Sequence, residues 1–152
     1  MRCLSLLLRL CRRPPPSDTR HRQGKRAEDD ALRLLRAHGL RLVARNVRNR
    51  HGELDLVMRD GALLVVVEVR WRASLAFGGA AGSITPAKQS RLARTALYWQ
   101  TQARLHGQAL RFDVVAFERG RPLWLRAAFE PDIPSQPLRR RRGPRRPSQA
   151  AP

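Results

Sequence analysis

The chain has 152 residues, with 31 Lys+Arg against 12 Asp+Glu, a formal net charge of +19 and a hydrophobic share of 42%. That length and apolar share suit one domain with a real core, and the basic excess selects polyanions as partners, nucleic acid first and an anionic membrane second. The two cysteines, Cys3 and Cys11, both precede the core, which excludes a disulfide framework or a zinc cluster within it.

The charge is concentrated at the ends. Residues 1–26 hold eight basic groups and one acid, and residues 139–146 hold six arginines, which leaves 17 basic and 11 acidic residues over 27–134, a net +6. Solvated arginine-rich tails and a nucleic-acid grip are equally compatible with this distribution. The core stays basic without the tails. His21, His38, His51 and His106 show no ligand spacing. The opening apolar run is broken by Arg9 and followed by Arg12-Arg13-Pro14-Pro15-Pro16. That is neither a cleavable leader nor a membrane span, and a cytoplasmic protein is expected.

Residues 1–21 read as a disordered basic, Pro-rich tail, with the triple proline blocking regular structure. A helix is expected from Gly24, where Ala27, Ala31, Leu34 and Leu35 recur at three- and four-residue steps, with Glu28, Asp29 and Asp30 in its early turns and His38-Gly39 as its stop. Leu40–Arg48 alternates as a first strand. Glu53–Met58 is a second strand, Asp60-Gly61 a hairpin turn, and Leu63–Val69 a third, its unbroken apolar run marking a central strand. A glycine-rich loop spans Phe77 to Ser83. Thr85 and Pro86 then cap a second helix running to about His106-Gly107, with Leu92, Ala96, Trp99 and Ala103 inward. Leu110–Phe117 and Pro122–Phe129 are further strands. A domain over 22–133 is thus followed by an Arg/Pro-rich disordered tail over 134–152. The order is α/β, a mixed central sheet with flanking helices.

Asp55 and Glu68 stand on neighbouring strands. With the turn centred on Asp60-Gly61, Asp55 faces Val66 and Glu68 faces Glu53, so the two carboxylates form a diagonal pair on one face. Close carboxylates demand a proton or a cation between them, and Mg²⁺ or Mn²⁺ is the natural oxygen-liganded choice. Arg70 leaves from the same face and can steady a phosphate but not accept a proton. Ion pairing of Glu68 with Arg48, Arg50 or Arg70 explains the spacing equally well.

The segments Gly24–Glu28, Ala44–Asn46, Gly52–Val57, Val67–Arg70, Phe77–Ala80, Lys88–Leu92 and Arg111–Val115 resemble the YraN-like family of small bacterial proteins. Asp55 followed by Glu68-Val69-Arg70 is similar to the PD-(D/E)XK nuclease pattern, grouped by fold with archaeal Holliday-junction resolvases. The resemblance covers about residues 22–130. It implies a restriction-endonuclease-like core (αβββαβ plus a further strand), nucleic-acid binding, DNA before RNA, and metal-dependent cleavage of phosphodiester bonds in branched DNA. It implies Asp55 and Glu68 as metal ligands and Glu28 as a helix acid near them. Arg70 would stand where such nucleases carry Lys, and Lys88 and Gln89 would reach the same site. Arg45, Arg48, Arg50, Arg72, Lys88 and Arg91 are the expected nucleic-acid contacts, and a resolvase-like role implies a homodimer. A non-catalytic nucleic-acid-binding module on the same scaffold is the alternative, and a role without nucleic acid a third.

Overall fold

The structure, a computed structural model, describes residues 16–71, 84–118 and 120–131, with side chains from residue 21 onward. The glycine-rich loop, Arg72, both cysteines and the Arg-rich C-terminal tail lie outside the described residues. The elements are α1 (Pro16–Ala37), β1 (Arg41–Asn49), β2 (Gly52–Asp60), β3 (Leu63–Trp71), α2 (Pro86–Gln102), β4 (Leu110–Glu118) and β5 (Arg121–Leu125). They form one five-stranded mixed sheet in the order β1-β2-β3-β4-β5. Only β3 and β4 run parallel, joined by the crossover that contains α2.

The helices cover opposite faces. Ala27, Ala31, Leu32 and Leu35 of α1 pack on Leu56, Met58, Val65, Val67, Val115 and Phe117. Leu92, Ala93 and Ala96 of α2 pack on Leu54, Val57, Leu64, Val66, Phe112 and Val114. Leu64 to Val67 are consequently all buried, as the unbroken apolar run of β3 requires.

Several boundaries differ from the sequence expectation, each for a physical reason. α1 begins at Pro16 rather than Gly24. Proline is at home in a first helical turn, where its missing N–H costs nothing, and the polar stretch from Ser17 to Gln23 carries no apolar period to betray a helix. α2 stops at Gln102, not near His106-Gly107, because Ala103 N–H closes on Trp99 O and Arg104 adopts a left-handed φ of +57°. Its inner face is Leu92, Ala93, Thr95, Ala96 and Gln100; Trp99 is half-buried and Ala103 exposed. β5 ends at Leu125 rather than Phe129, since Ala127 turns left-handed (φ +47°) and aims its N–H at Asp113 Oδ1, 2.9 Å away. In β1 a bulge between Leu42 and Ala44 breaks the simple alternation, so Leu42 packs under α1 and Ala44 under α2. Trp71 is 40% exposed and leans on Phe117.

The β2–β3 hairpin departs most usefully. Asp60 stays in the strand and pairs with Leu63, leaving Gly61-Ala62 as the loop, with Gly61 at φ +59°. Glycine takes that conformation without steric cost, and aspartate would not. The register moves by two residues from the one expected.

Candidate metal centre and basic cleft

The paired register ends with Leu56 opposite Val67, and Val66 faces Val57, so the expected pairing of Asp55 with Val66 does not form and both carboxylates lie just past the last paired residues. The regular ladder stops there. The Val69 N–H donates to Asp55 Oδ2 at 2.8 Å, so a side chain takes a bond that a main-chain carbonyl would otherwise hold. The faces also switch at this point: Leu54 packs under α2 and Leu56 under α1, although strict alternation would put both on one side. Asp55 thus sits at a break in the sheet, next to the C-terminal part of β3.

Glu68 is 7% exposed. Its Oε1 accepts from the Lys88 ammonium, and Arg70 Nη1 lies 3.9 Å from the same oxygen. Arg48, considered above as a Glu68 partner, instead donates from Nε to Glu53 Oε1 at 2.9 Å. Lys88 is in the first turn of α2, where a cation opposes the helix dipole, and that turn carries no acid. Its chemistry is met by Glu68 across the cleft rather than by its own helix.

Among the described residues no cation is within ion-pair distance of Asp55, although Lys88 acts on it from farther away. Burial, then the adjacent Glu68 carboxylate, push Asp55 up to about 7, against the pull of the Val69 N–H. Glu28 belongs to the same field: burial raises it above the ordinary carboxylate range while Arg45 opposes the rise. Burial and proximity therefore disfavour ionisation of Asp55 beside Glu68 unless a cation joins them. Among the described residues no group of three or more His, Cys, Asp or Glu could hold a metal ion by itself. Asp55 and Glu68 can supply two hard oxygen donors, and the donor set suits an ion that keeps several waters, as Mg²⁺ does.

A pH dependence follows with a definite sign. Unfolded Asp55 loses its proton near the ordinary 3.8, whereas the folded carboxyl keeps it to about 7. The folded state binds more protons in that window, so stability in chelator falls as pH rises through it and levels off above. Asp55→Asn is expected to remove this loss and raise Tm at about pH 8 by about 4 °C, for about 1 kcal/mol in a domain of this size. Melting curves of both proteins across the window check it; parallel pH profiles would contradict it.

The cleft in front of the carboxylates has a volume of about 670 Å³ and is lined by Arg48, Asn49, Gly52, Glu53, Asp55, Glu68, Lys88, Arg91 and Leu92. One wall is the β1–β2 turn, docked on α2. Asn49 Nδ2 donates to Thr95 O at 3.1 Å, and Asn49 Oδ1 accepts the His51 N–H at 2.8 Å. Gly52 has φ +152°, and a Cβ there would meet Thr95 Oγ1 at 3.0 Å and Arg91 Cγ at 3.3 Å. Gly52→Ala is expected to cost about 1–3 kcal/mol and to open this wall, which chemical denaturation would read directly.

The other expected site residues are placed variously. Arg45 is held by Asp29 at 2.9 Å and stands 3.7 Å from Glu28. Gln89 does not line the cleft; its Nε2 donates to Ile84 O at 3.1 Å and tethers the start of α2. Arg50 lies over the Tyr98 ring, 4.9 Å from its centroid. Sequence reasoning passed over Glu53, Asn49 and Arg94. Asn49 carried one available signal, the Asn/Gly-rich turn chemistry of residues 49–52, but its docking on α2 depends on residues 46 positions away.

Arg111 and Asp113 belong to a separate structural strut. Asp113, 1% exposed, accepts from Arg111 Nε at 2.9 Å and Nη2 at 3.0 Å, from Trp124 Nε1 at 3.0 Å and from the Ala127 N–H. Arg111 Nη1 also reaches Asp60 at 2.9 Å, tying the β2–β3 turn to β4.

A UPF0102 protein of Bordetella avium is 63% identical over 142 residues, covering 92% of this chain and 96% of the relative. One of Alkalilimnicola ehrlichii is 52% identical over 120 residues, covering 78% and 95%. One of Pseudomonas entomophila is 52% identical over 113 residues, covering 70% and 92%. Residues 27–117 match the profile described as Uncharacterised protein family UPF0102, a span that runs from α1 through β4 and holds both carboxylates, Lys88 and the cleft. The chain belongs to family UPF0102.

Proposed function

We infer that the protein binds nucleic acid and hydrolyses phosphodiester bonds with a divalent cation, Mg²⁺ or Mn²⁺, held by Asp55 and Glu68. The observation that carries this reading is the Asp55–Glu68 pair, one carboxyl of which is pushed to about 7 by burial and its neighbour, at the floor of a cleft lined by Arg48, Lys88 and Arg91. Buried like charges are costly without a cation, and the basic walls suit a phosphate backbone. The order of helix, three strands, helix and strand agrees with a PD-(D/E)XK core, which supports reading Asp55 and Glu68 as the ligands. Fold analogy alone supplies no reaction.

A bound divalent cation supplies an acidified water and a polarised phosphate oxygen. The chain's own residues do the rest. Asp55 and Glu68 hold the cation. Lys88 and Arg70 bring two positive charges to one side of Glu68, where they can bind the phosphate and stabilise charge that grows on it. Neither Arg70 nor the charged Lys88 accepts a proton, so proton removal does not rest on them. The non-catalytic reading is favoured by one observation, the arginine at position 70, which removes the usual side-chain base.

The test is purified full-length protein with Mn²⁺ on branched, flapped and single-stranded DNA. Cleavage that needs Mn²⁺ and Asp55 supports the enzyme. Salt-sensitive binding with no cleavage of any of the three leaves the binding module. Branched substrates cut symmetrically would call for two copies of the chain.

A further inference from the structure

Resting on the nucleic-acid reading above, we propose that the exposed stripe of α2 carrying Arg91, Arg94 and Tyr98, with Arg50 of the β1–β2 turn, is the track along which a nucleic-acid strand leaves the Asp55–Glu68 cleft.

Continuity with the cleft separates this stripe from the rest of the surface. Arg33 is paired with Asp30, Arg45 with Asp29, Arg111 with Asp60 and Asp113, and Arg126 with Asp60, whereas Arg36, Arg41 and Arg121 have no carboxylate partner among the described residues but lie away from the cleft lining. Among the described residues no carboxylate lies within ion-pair distance of Arg50, Arg91 or Arg94. Composition contributes, because α2 contains no Asp or Glu from Pro86 to Gln102, whereas α1 carries Glu28, Asp29 and Asp30. Arg91 and Arg94 are both exposed, on the side of the helix opposite Leu92, Ala93 and Ala96.

The spacing makes a line. Lys88, Arg91, Arg94 and Tyr98 follow at steps of three, three and four, which keeps them along one side of a helix. At about 1.5 Å per residue the line is about 15 Å long. Duplex DNA places one phosphate per strand about every 3.4 Å of axis, so the line spans on the order of four phosphates. Lys88 and Arg91 also line the cleft, so the line starts at the carboxylates and is continuous with them.

Tertiary structure adds the fourth cation. Asn49 and Gly52 press the β1–β2 turn onto Thr95 and Arg91, and this lays Arg50 over Tyr98. There the His51 ring meets Tyr98 edge-on, with centroids 5.3 Å apart, and Arg50 Nε donates to His51 Nε2 at 3.2 Å. A guanidinium held on an aromatic face is already ordered and keeps donor edges for phosphate. An extended polyanion fits an unneutralised line of this kind better than a compact anion does.

The experiment is a DNA-binding titration in chelator, with the full-length chain, at several salt concentrations. Arg91→Ala plus Arg94→Ala is compared with wild type, with Arg33→Ala as a control on the far helix and Arg91→Lys plus Arg94→Lys as a charge-preserving control. Two lost phosphate contacts should lower the slope of log K against log salt by about 1.4–1.8. Affinity should fall about tenfold or more near 0.1 M salt, while the lysine pair and Arg33→Ala keep the wild-type slope. A wild-type slope in the alanine pair overturns the track and leaves nucleic-acid binding standing. Equal loss in Arg33→Ala also overturns it, since the effect would then be general charge. No binding by wild type, or binding to anionic vesicles instead of DNA, overturns the functional reading and the track together.

Discussion

Replacing Asp55 by Ala is expected to lower Mn²⁺-dependent cleavage by about 10³-fold or more while leaving DNA affinity in chelator equal to wild type or higher. The magnitude is that of a lost Lewis acid, several kcal/mol of transition-state stabilisation at about 1.4 kcal/mol per tenfold. The sign of the binding effect follows from charge: a carboxyl near its titration range at neutral pH repels an incoming phosphate when ionised, and Ala does not. Calorimetry with Mn²⁺ reports the site independently of turnover, and binding lost in Asp55→Ala plus Glu68→Ala would locate the ion. Cleavage that survives in Asp55→Ala would refute the assignment of the metal to this pair. Glu68→Ala is the less clean variant, since it also strands Lys88, whose only described ion-pair partner is Glu68.

The second large effect concerns folding. Asp113→Ala is expected to destabilise the protein by about 3–5 kcal/mol, because it leaves the Arg111 guanidinium, 15% exposed at the side chain, without its bidentate partner in a mostly buried place. The Trp124 Nε1–H and the Ala127 N–H lose their acceptor at the same time. The hydrogen bonds that Arg111 donates to Asp113 raise its pKa in the native protein, and without them guanidinium still keeps its proton, so the variant leaves a charge without this partner. Asp113 lies on the strand that pairs with β3 rather than in the cleft, and the loss should appear in urea or thermal unfolding, not in Mn²⁺ affinity measured on the folded fraction. A small change in stability would show that the strut is dispensable. The Arg111-Phe112-Asp113 segment, which carries part of the resemblance to the family, therefore has a structural explanation that needs no role in chemistry.

Much of the architecture was legible before the fold was known, because its signals are local. Periodicity placed α1 over Ala27 to Leu35, Thr85-Pro86 announced the start of α2, and the apolar run of β3 required cover on both faces. Asp55 and Glu68 could be singled out as acids inside strands joined by a tight turn. The failures were also local in cause. Pro16 looked like a barrier although it is a good first residue for a helix. Asp60-Gly61 looked like the turn although only Gly61 takes the left-handed position.

By itself the sequence determined the order of elements, the buried strand, the pair of carboxylates and the basic character of the chain, since each depends on neighbours a few residues apart. Tertiary structure alone decided that Asp55 sits at the break in the ladder beside β3, that Lys88 rather than Arg48 or Arg50 pairs with Glu68, that Asp113 is a strut, and that Arg91 and Arg94 have no carboxylate partner among the described residues. These outcomes rest on which distant segments meet. A two-residue change of register, or one turn of α2, redistributes every such ion pair without altering the pattern from which the helices and strands are read.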